Sequence, residues 1–150
     1  MPDDGSRHDS IKILLGFDVG EKSIGVAVGQ IVTQLATPLI RLPAQDAAPN
    51  WQNVKNLIDT WNPDHLIVGL PLHMDGKEQK MTKIARRFGN RLQGRFALPI
   101  IWVDERLSSH EADARLKALN INAENDKLNL DSISAQILIE QWFQEYREKK

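Results

Sequence analysis

Apolar residues follow two different periods along the chain, and the change between them predicts where strands give way to helices. Three β-prone apolar runs come first, at residues 11–17, 24–30 and 35–42. They predict an antiparallel meander whose first turn contains Gly20, a residue that can adopt a positive φ. From residue 51 onward, apolar side chains recur every three or four positions, which is typical of helices that pack on one face.

The rest of the chain predicts strands that alternate with helices. Apolar runs at 65–70 and 100–103 predict two more strands. Ser108 and Glu111 have the spacing of a capping box and predict the start of a short helix. The other predicted helices cover about 51–61, 79–92 and 130–146. This order indicates an α/β fold with a mixed five-stranded sheet, in which a meander adjoins parallel strands and helices flank the sheet.

Composition limits the kinds of protein that the chain can be. Its 150 residues are 41% hydrophobic, which suits one domain at 11–146, with a flexible tail at 1–10 and a frayed end at 147–150. No cysteine is present, so disulfides and thiolate metal sites are excluded. Because no apolar run approaches the roughly 18 residues of a membrane span, we expect a cytoplasmic protein with no membrane partner.

Acidic residues stand where predicted core elements meet loops. Asp18 interrupts the apolar stretch LLGFDVGEKSIGVAVG, and Asp104 and Glu105 directly follow the fifth strand. Strand alternation sends the side chains of Asp104 and Glu105 to opposite faces, so only one can face a common site. Asp131 begins an apolar helical stripe and therefore lies at the end of a buried face. Carboxylates that converge at one edge of a sheet would suit Mg²⁺ or Mn²⁺.

Each acid also has an explanation that involves no ligand. Asp18 could be a turn residue that bonds its own backbone. Asp131 could be a first-turn acid that the helix dipole stabilises, and Glu105 could form a surface ion pair. A buried carboxylate is energetically costly unless a cation compensates its charge. The three acids together therefore favour one metal site over three unrelated structural roles.

Four motifs in order give the chain a family resemblance that covers about residues 12–143. It resembles the YqgF family, also called RuvX or Holliday-junction-resolvase-like. The motifs are GFDVGEKSIGVAVG, VGLPLHMDG, VDERLSSHEA and DSISAQILIEQW. The resemblance implies an RNase H-like fold and a nuclease that matures the 5′ end of pre-16S rRNA. It matches Asp18 to the acid of the first strand, Glu105 to the DER acid and Asp131 to the acid that opens the final helix.

The chemistry of phosphodiester hydrolysis agrees with that resemblance. Two divalent ions about 4 Å apart can activate a water and stabilise the leaving oxygen, and carboxylates suffice to hold them. We expect Asp18, Glu105 and Asp131 to be the catalytic and metal-binding residues, with Asp18 bridging the ions. Asp104 replaces Glu105 if the strand register differs by one residue.

A local basic patch suits a nucleic-acid partner, although the whole chain has a net charge of −1. Residues 77–95 contain seven basic residues and one acid. The predicted second helix carries four of them in one stripe, Lys80, Lys83, Arg87 and Arg91, beside an apolar stripe. The alternative for this stripe is an ordinary solvated helix face. Beside a metal site, contact with phosphates becomes the favoured interpretation. Among the histidines, His73 lies in a loop that we expect to move when substrate binds.

Several functions remain compatible with the sequence. RNA and a branched DNA junction offer the same backbone chemistry, and the basic stripe has no base-reading pattern. We expect pre-rRNA rather than a junction, with ribosomal precursor particles as further partners, and a monomer or weak homodimer. The alternatives are a DNA junction resolvase, a phosphate-binding module like one domain of the actin-like ATPases, and an RNA-binding assembly factor that does not cleave.

Overall fold

The computed structural model describes residues 11–105, 114 and 123–148, with the side chains of the last helix described over 130–146. The strands are β1 (Ile13–Val19), β2 (Ser23–Gln30), β3 (Leu35–Gln45), β4 (Ala48–Pro49), β5 (His65–Leu70) and β6 (Ile100–Asp104). The helices in the described part are α1 (Trp51–Trp61), α2 (Lys80–Phe96) and α3 (Ala123–Glu148). The predicted helix at 108–119 and the predicted tail at 1–10 lie outside the described residues, and the single domain at 11–146 stays a prediction.

One mixed sheet organises these elements, with the strand order β4-β3-β2-β1-β5-β6. The pairs β1–β2, β2–β3 and β3–β4 are antiparallel, and the pairs β1–β5 and β5–β6 are parallel. The predicted meander and parallel strands are therefore confirmed. A sixth strand was not predicted, because β4 has only two residues and carries no detectable alternation.

Strand alternation divides the core into two layers. On one face, α1 and α2 cover side chains such as Phe17, Val26 and Val68, all fully buried. On the other face, α3 covers Leu14 and Ile67. Asp18 belongs by alternation to the α3 face, as do Gly16 and Leu14. The acid therefore points toward the only helix that the described residues place on that face.

Two predictions need correction, one of a helix boundary and one of a backbone conformation. The final helix begins at Ala123 rather than near residue 130, because its polar first turns carry no apolar stripe for periodicity to detect. Gly20 does not adopt a positive φ. Its N–H donates a hydrogen bond to the Ser23 carbonyl at 2.9 Å, and a Cβ would lie 2.9 Å from that same oxygen. Glycine is thus favoured at position 20 because a Cβ would have no room there, and not because the backbone needs a positive φ.

Gly25 in β2 allows α3 to approach the sheet. It stands opposite Asp18 in the β1–β2 register and opposite Arg41 in the β2–β3 register. A Cβ built on Gly25 would lie 1.9 Å from the backbone oxygen of Asp131, a contact that no side-chain rotation can relieve. Gly25 therefore sets the height at which Asp131 rests above the sheet.

We predict that Gly25→Ala lowers the free energy of unfolding by about 1–3 kcal/mol or more, because the helix backbone must move to admit the methyl group. Gly94→Ala is the matched control, since nothing lies within 4 Å of a Cβ at that position in α2. There the free energy of unfolding should rise by about 0.5–1 kcal/mol, because alanine favours a helix. Urea denaturation of both variants measures the difference, and equal effects would contradict the close approach.

Candidate active site

Asp18 lies near the end of the central strand β1, and its side chain is half-buried. Its pKa is raised from the ordinary 3.8 to about 6, chiefly by burial; a hydrogen bond with Glu105 lowers the pKa, and the charge of Asp131 raises it. A carboxyl in this position binds a proton more readily than one on the surface. Its environment therefore favours any positive charge that can reach it.

Glu105 is the carboxyl that contacts Asp18. Its backbone N–H donates a hydrogen bond to the carbonyl of Leu70 at 3.1 Å, which extends the β5–β6 pairing by one residue beyond β6. Its side chain lies over Gly69, where a Cβ would come within 2.3 Å of Oε2. Burial, then the charge of Asp18 and the hydrogen bond with it, raise the pKa of Glu105 well above its usual range. The two carboxyls therefore hold a proton between them near neutral pH.

Asp104 does not enter this site. Alternation along β6 places Val103 on the α3 face, whereas Trp102 packs against Gly89 of α2. Asp104 shares the face of Trp102 and is exposed. The expectation that only one of the two acids faces a common site is thus met by Glu105, and no shift of register is needed.

Asp131 lies above Gly25, and donors from the sheet hold its carboxylate. The Ser23 hydroxyl donates a hydrogen bond to Oδ2 at 2.5 Å, and Nε of Arg41 donates to the same oxygen at 3.1 Å. Sequence reasoning missed both donors. Arg41 is the only charged residue within β3, but a lone cation in a strand does not reveal its partner ninety residues later.

The pair formed by Asp18 and Glu105 fits a hard divalent cation. Both groups are oxygen donors, both are half-buried, and they share a proton that a cation could replace. The third acid is less available, because Asp131 already has Arg41 as its counter-ion. Within the described residues, no three side chains of the His, Cys, Asp and Glu types stand together as a ready-made metal site. The structure therefore brings two of the three predicted ligands into contact and places the third beside them.

An open cleft of about 550 Å³ gives access to the acid pair. Asp18 and Glu105 line it together with the β1–β2 turn, Pro71, Gln79 and Met81. Thr82 fastens one wall, because its hydroxyl donates a hydrogen bond to the Pro71 carbonyl and accepts one from the Gln79 N–H at 3.0 Å. Two carboxyls therefore face an open cleft beside the start of the second helix.

The segment 71–79 forms a small hairpin whose two ends reach this cleft. Leu72 bridges Glu78, and the Asp75 carboxylate accepts a hydrogen bond from the backbone N–H of Lys77 at 2.9 Å. Gly76 has a φ of 89°, as a turn at this position requires. His73 is exposed in this hairpin, and the expected movement of the loop stays a prediction.

Helix α2 begins at the cleft and carries the predicted basic stripe on an exposed face. Its four members, Lys80, Lys83, Arg87 and Arg91, are all exposed and span about three helical turns. Two neighbouring arginines are engaged differently. Arg86 pairs with Glu78 at 2.9 Å, and Arg95 stacks on Trp51 at 4.4 Å from the ring centre. The four residues of the stripe are thus distinct from Arg86 and Arg95, which interact with other side chains of the protein.

Helix α2 attaches to the sheet through the apolar stripe beside these cations. Phe88 and Leu92 are buried among the side chains that α1 and α2 cover, and Ile84 packs against them. The basic and apolar faces are therefore distinct, as the sequence predicted.

Comparison with known proteins places the chain among nucleic-acid enzymes. The family model described as "RuvX: Holliday junction resolvase" matches residues 12–145. A protein of Nitrosococcus oceani is 51% identical over 134 residues, which is 89% of this chain and 88% of that protein. A protein of Aeromonas salmonicida is 48% identical over 136 residues, which is 91% and 97% of the two chains. Both carry the name "Putative pre-16S rRNA nuclease".

Solved structures support the fold that the sequence predicted. RuvC of T. thermophilus, solved with a Holliday junction substrate, superposes with a TM-score of 0.55. It is 12% identical, and the match covers 90% of this chain and 96% of that one. At this identity the likeness concerns the fold alone, and it confirms the α/β architecture of the RNase H-like type.

The buried acid pair predicts how stability depends on pH when no divalent cation is present. A raised pKa in the folded state means that the folded form binds the proton more tightly, so its stabilising effect is present at low pH and is lost as the pH rises. For Asp18 the loss runs from about 3.8, the ordinary value, to about 6. The gain in unfolding free energy from Asp18→Asn should therefore increase over this interval. Urea denaturation in chelator, at intervals from pH 4 to 7, measures it.

Asp59→Asn is the control for this measurement, because it removes one exposed carboxyl from α1. If the Asp18→Asn profile follows that of the control across the whole range, the burial of Asp18 has no energetic consequence and the site is wrongly assigned.

Proposed function

The chain belongs to the RuvX family, and from this premise we propose that it is a metal-dependent endonuclease that hydrolyses phosphodiester bonds in pre-16S rRNA. It is a hydrolase that acts on nucleic-acid esters, as its family membership and its relatives indicate. The observation that carries the proposal is the contact between the half-buried carboxyls of Asp18 and Glu105, which line an open cleft. No helix in the described part of the chain is long and apolar enough to span a membrane. A role on rRNA precursors would place the protein in the cytoplasm.

Asp18, Glu105 and Asp131 would hold the metal, which is Mg²⁺ or Mn²⁺ because only oxygen donors are offered. When bound, the metal lowers the pKa of a water and stabilises charge on the leaving oxygen. Asp18 contributes rigidity, since β1 is paired on both sides in the middle of the sheet. Glu105 completes the pair from the adjoining parallel strands, and Asp131 approaches from α3. The protein thereby positions the reacting groups before substrate arrives.

The named relatives favour RNA as the substrate. The protein of Nitrosococcus oceani and that of Aeromonas salmonicida both have names that refer to pre-16S rRNA. The family description instead names the Holliday junction, which supports DNA junction resolution as the second candidate. The cleft is compatible with either backbone because phosphate chemistry is common to both. The assay must therefore present both substrates.

We expect cleavage of a single-stranded rRNA precursor in Mg²⁺ or Mn²⁺, with less activity on duplex RNA and on a four-way DNA junction. Asp18→Asn should abolish cleavage while preserving the fold, because asparagine keeps the shape of the side chain but removes the anionic ligand. Near-normal turnover of Asp18→Asn at saturating Mg²⁺ would contradict the assignment. Preferential cleavage of the junction would transfer the proposal to the second candidate.

Glu105→Gln and Asp104→Asn form a matched pair for the same assay. Both changes remove one carboxylate at the end of β6, but only Glu105 contacts Asp18. We expect Glu105→Gln to lower the cleavage rate by at least about 100-fold, on the scale of other losses of transition-state stabilisation. Asp104→Asn should change the rate much less. The opposite order would show that Asp104 is the functional acid.

The exposed stripe on α2 supplies the path for the substrate backbone. It starts at the cleft, where Gln79 and Met81 form part of the wall, and continues for about three turns. Cations spaced three or four residues apart on one face can each meet a phosphate. The length of the stripe, roughly 16 Å at 1.5 Å per residue, suits a few nucleotides of extended single strand.

We predict that replacing Lys83, Arg87 and Arg91 together with glutamine weakens RNA binding without unfolding the protein. Glutamine is a good helix former, and exposed substitutions usually cost little stability. Loss of three phosphate contacts should flatten the salt dependence of log K by about 2, with similar losses for unrelated sequences. Fluorescence anisotropy at several salt concentrations measures both quantities. An unchanged slope of log K against salt concentration would mean that this face of α2 is an ordinary solvated surface that does not contact RNA.

A further inference from the structure

Arg41 lies outside the four family motifs and pairs with one of the three acids, Asp131, at 3.1 Å. It lies on β3, two strands away from Asp18, and the β2 residue between them is Gly25. The three residues form one row across the sheet on the α3 face. Because Gly25 has no side chain, Asp131 occupies the space above it, between the carboxyl of Asp18 and the guanidinium of Arg41.

The carboxylate of Asp131 is thus subject to two opposing neighbours. The negative charge of Asp18 repels it, and Arg41 attracts it at 3.1 Å. Ser23 adds a hydrogen bond of 2.5 Å to the same oxygen. Both lone pairs of Oδ2 are therefore occupied by protein donors, and only Oδ1 remains for another ligand.

We propose that Arg41 competes with the divalent cation for Asp131, so that it restrains how tightly the free enzyme binds metal. This inference rests on the proposed function, because it takes Asp18 and Glu105 as the primary metal ligands. Arg41 acts through Asp131 and is a positioning residue rather than a catalytic one. Its positive charge also repels an arriving cation directly, and both effects have the same sign.

Burial makes this competition consequential. The side chains of Arg41 and Asp131 are only 31% and 27% exposed, so water screens their interaction less than it screens a surface pair. An arginine also cannot lose its proton to relieve the conflict. A metal that uses both oxygens of Asp131 must therefore displace Ser23 or Arg41 from Oδ2, and Arg41 makes the longer of the two contacts.

The test is the Mn²⁺ affinity of the protein without nucleic acid, measured by isothermal titration calorimetry. We expect Arg41→Gln to bind Mn²⁺ at least about fivefold more tightly than the unmodified protein, because it removes the competing charge but keeps a polar side chain. Arg41→Lys retains the charge and should stay within about twofold of the unmodified protein. Lys55→Gln removes one positive charge from α1, which packs on the other face of the sheet, and it should also stay within about twofold.

A double variant separates competition through Asp131 from simple repulsion. If Arg41 acts by occupying Oδ2, the gain from Arg41→Gln should shrink to about twofold or less when Asp131 is already Asn. A full gain in that background, or an affinity of Arg41→Gln equal to or weaker than that of the unmodified protein, would overturn the proposal. Thermal unfolding of each variant confirms that the fold is retained.

Failure of the proposed function would give a different result. If Asp18→Asn binds Mn²⁺ as tightly as the unmodified protein, the metal does not bind at this acid pair, whatever Arg41 does. If Asp18→Asn loses Mn²⁺ and Arg41→Gln leaves the affinity unchanged, the metal site stands and the competition by Arg41 is refuted.

Discussion

Two carboxyls in contact within a protein interior form an arrangement that needs a positive charge. Asp18 and Glu105 are such a pair: burial raises the pKa of both carboxyls, and the charge of Asp18 raises the pKa of Glu105 further. Among the residues that the structure describes, the arginine that pairs with a neighbouring acid is Arg41, and its partner is Asp131 rather than Asp18 or Glu105. The local structure is therefore best understood as a site that retains a proton when empty and is completed by a cation.

The rest of the fold serves to bring these groups together from distant parts of the chain. The strand β1 is central because it pairs with β2 on one side and with β5 on the other. Parallel pairing of β5 and β6 carries Glu105 to the same end of the sheet as Asp18. Glycines make room next to two of the acids, with Gly69 under the Glu105 carboxyl and Gly25 under the Asp131 backbone. Substitution of either glycine by a larger residue would displace an acid whose own identity is unchanged.

Much of this arrangement could be predicted from the sequence, because the governing patterns are local. Strand β5 was predicted with its exact bounds, since a short apolar run between polar neighbours leaves little choice. Alternation along β6 separated Asp104 from Glu105 correctly, because side chains in a strand must change face at each residue. The basic face of α2 followed from helical spacing in the same way.

The features that escaped prediction depend on contacts between distant segments. Arg41 meets Asp131 only because β3, β2 and α3 are stacked in one particular order, and nothing near Arg41 in the chain indicates its partner. The start of α3 at Ala123 was missed because polar helical turns have no apolar period. The need for Gly25 is visible only once the helix backbone lies against it. Sequence patterns thus predict faces and elements, whereas the balance of charge within the site is a property of the assembled fold.

The most direct measurement of the central claim is a crystal structure of the protein soaked in Mn²⁺, with the ion located by its anomalous scattering. The account predicts a peak between the carboxyls of Asp18 and Glu105, within about 2.1–2.3 Å of an oxygen of each. A protein that cleaves nucleic acid in Mn²⁺, but whose only peak lies away from both carboxyls, would contradict it.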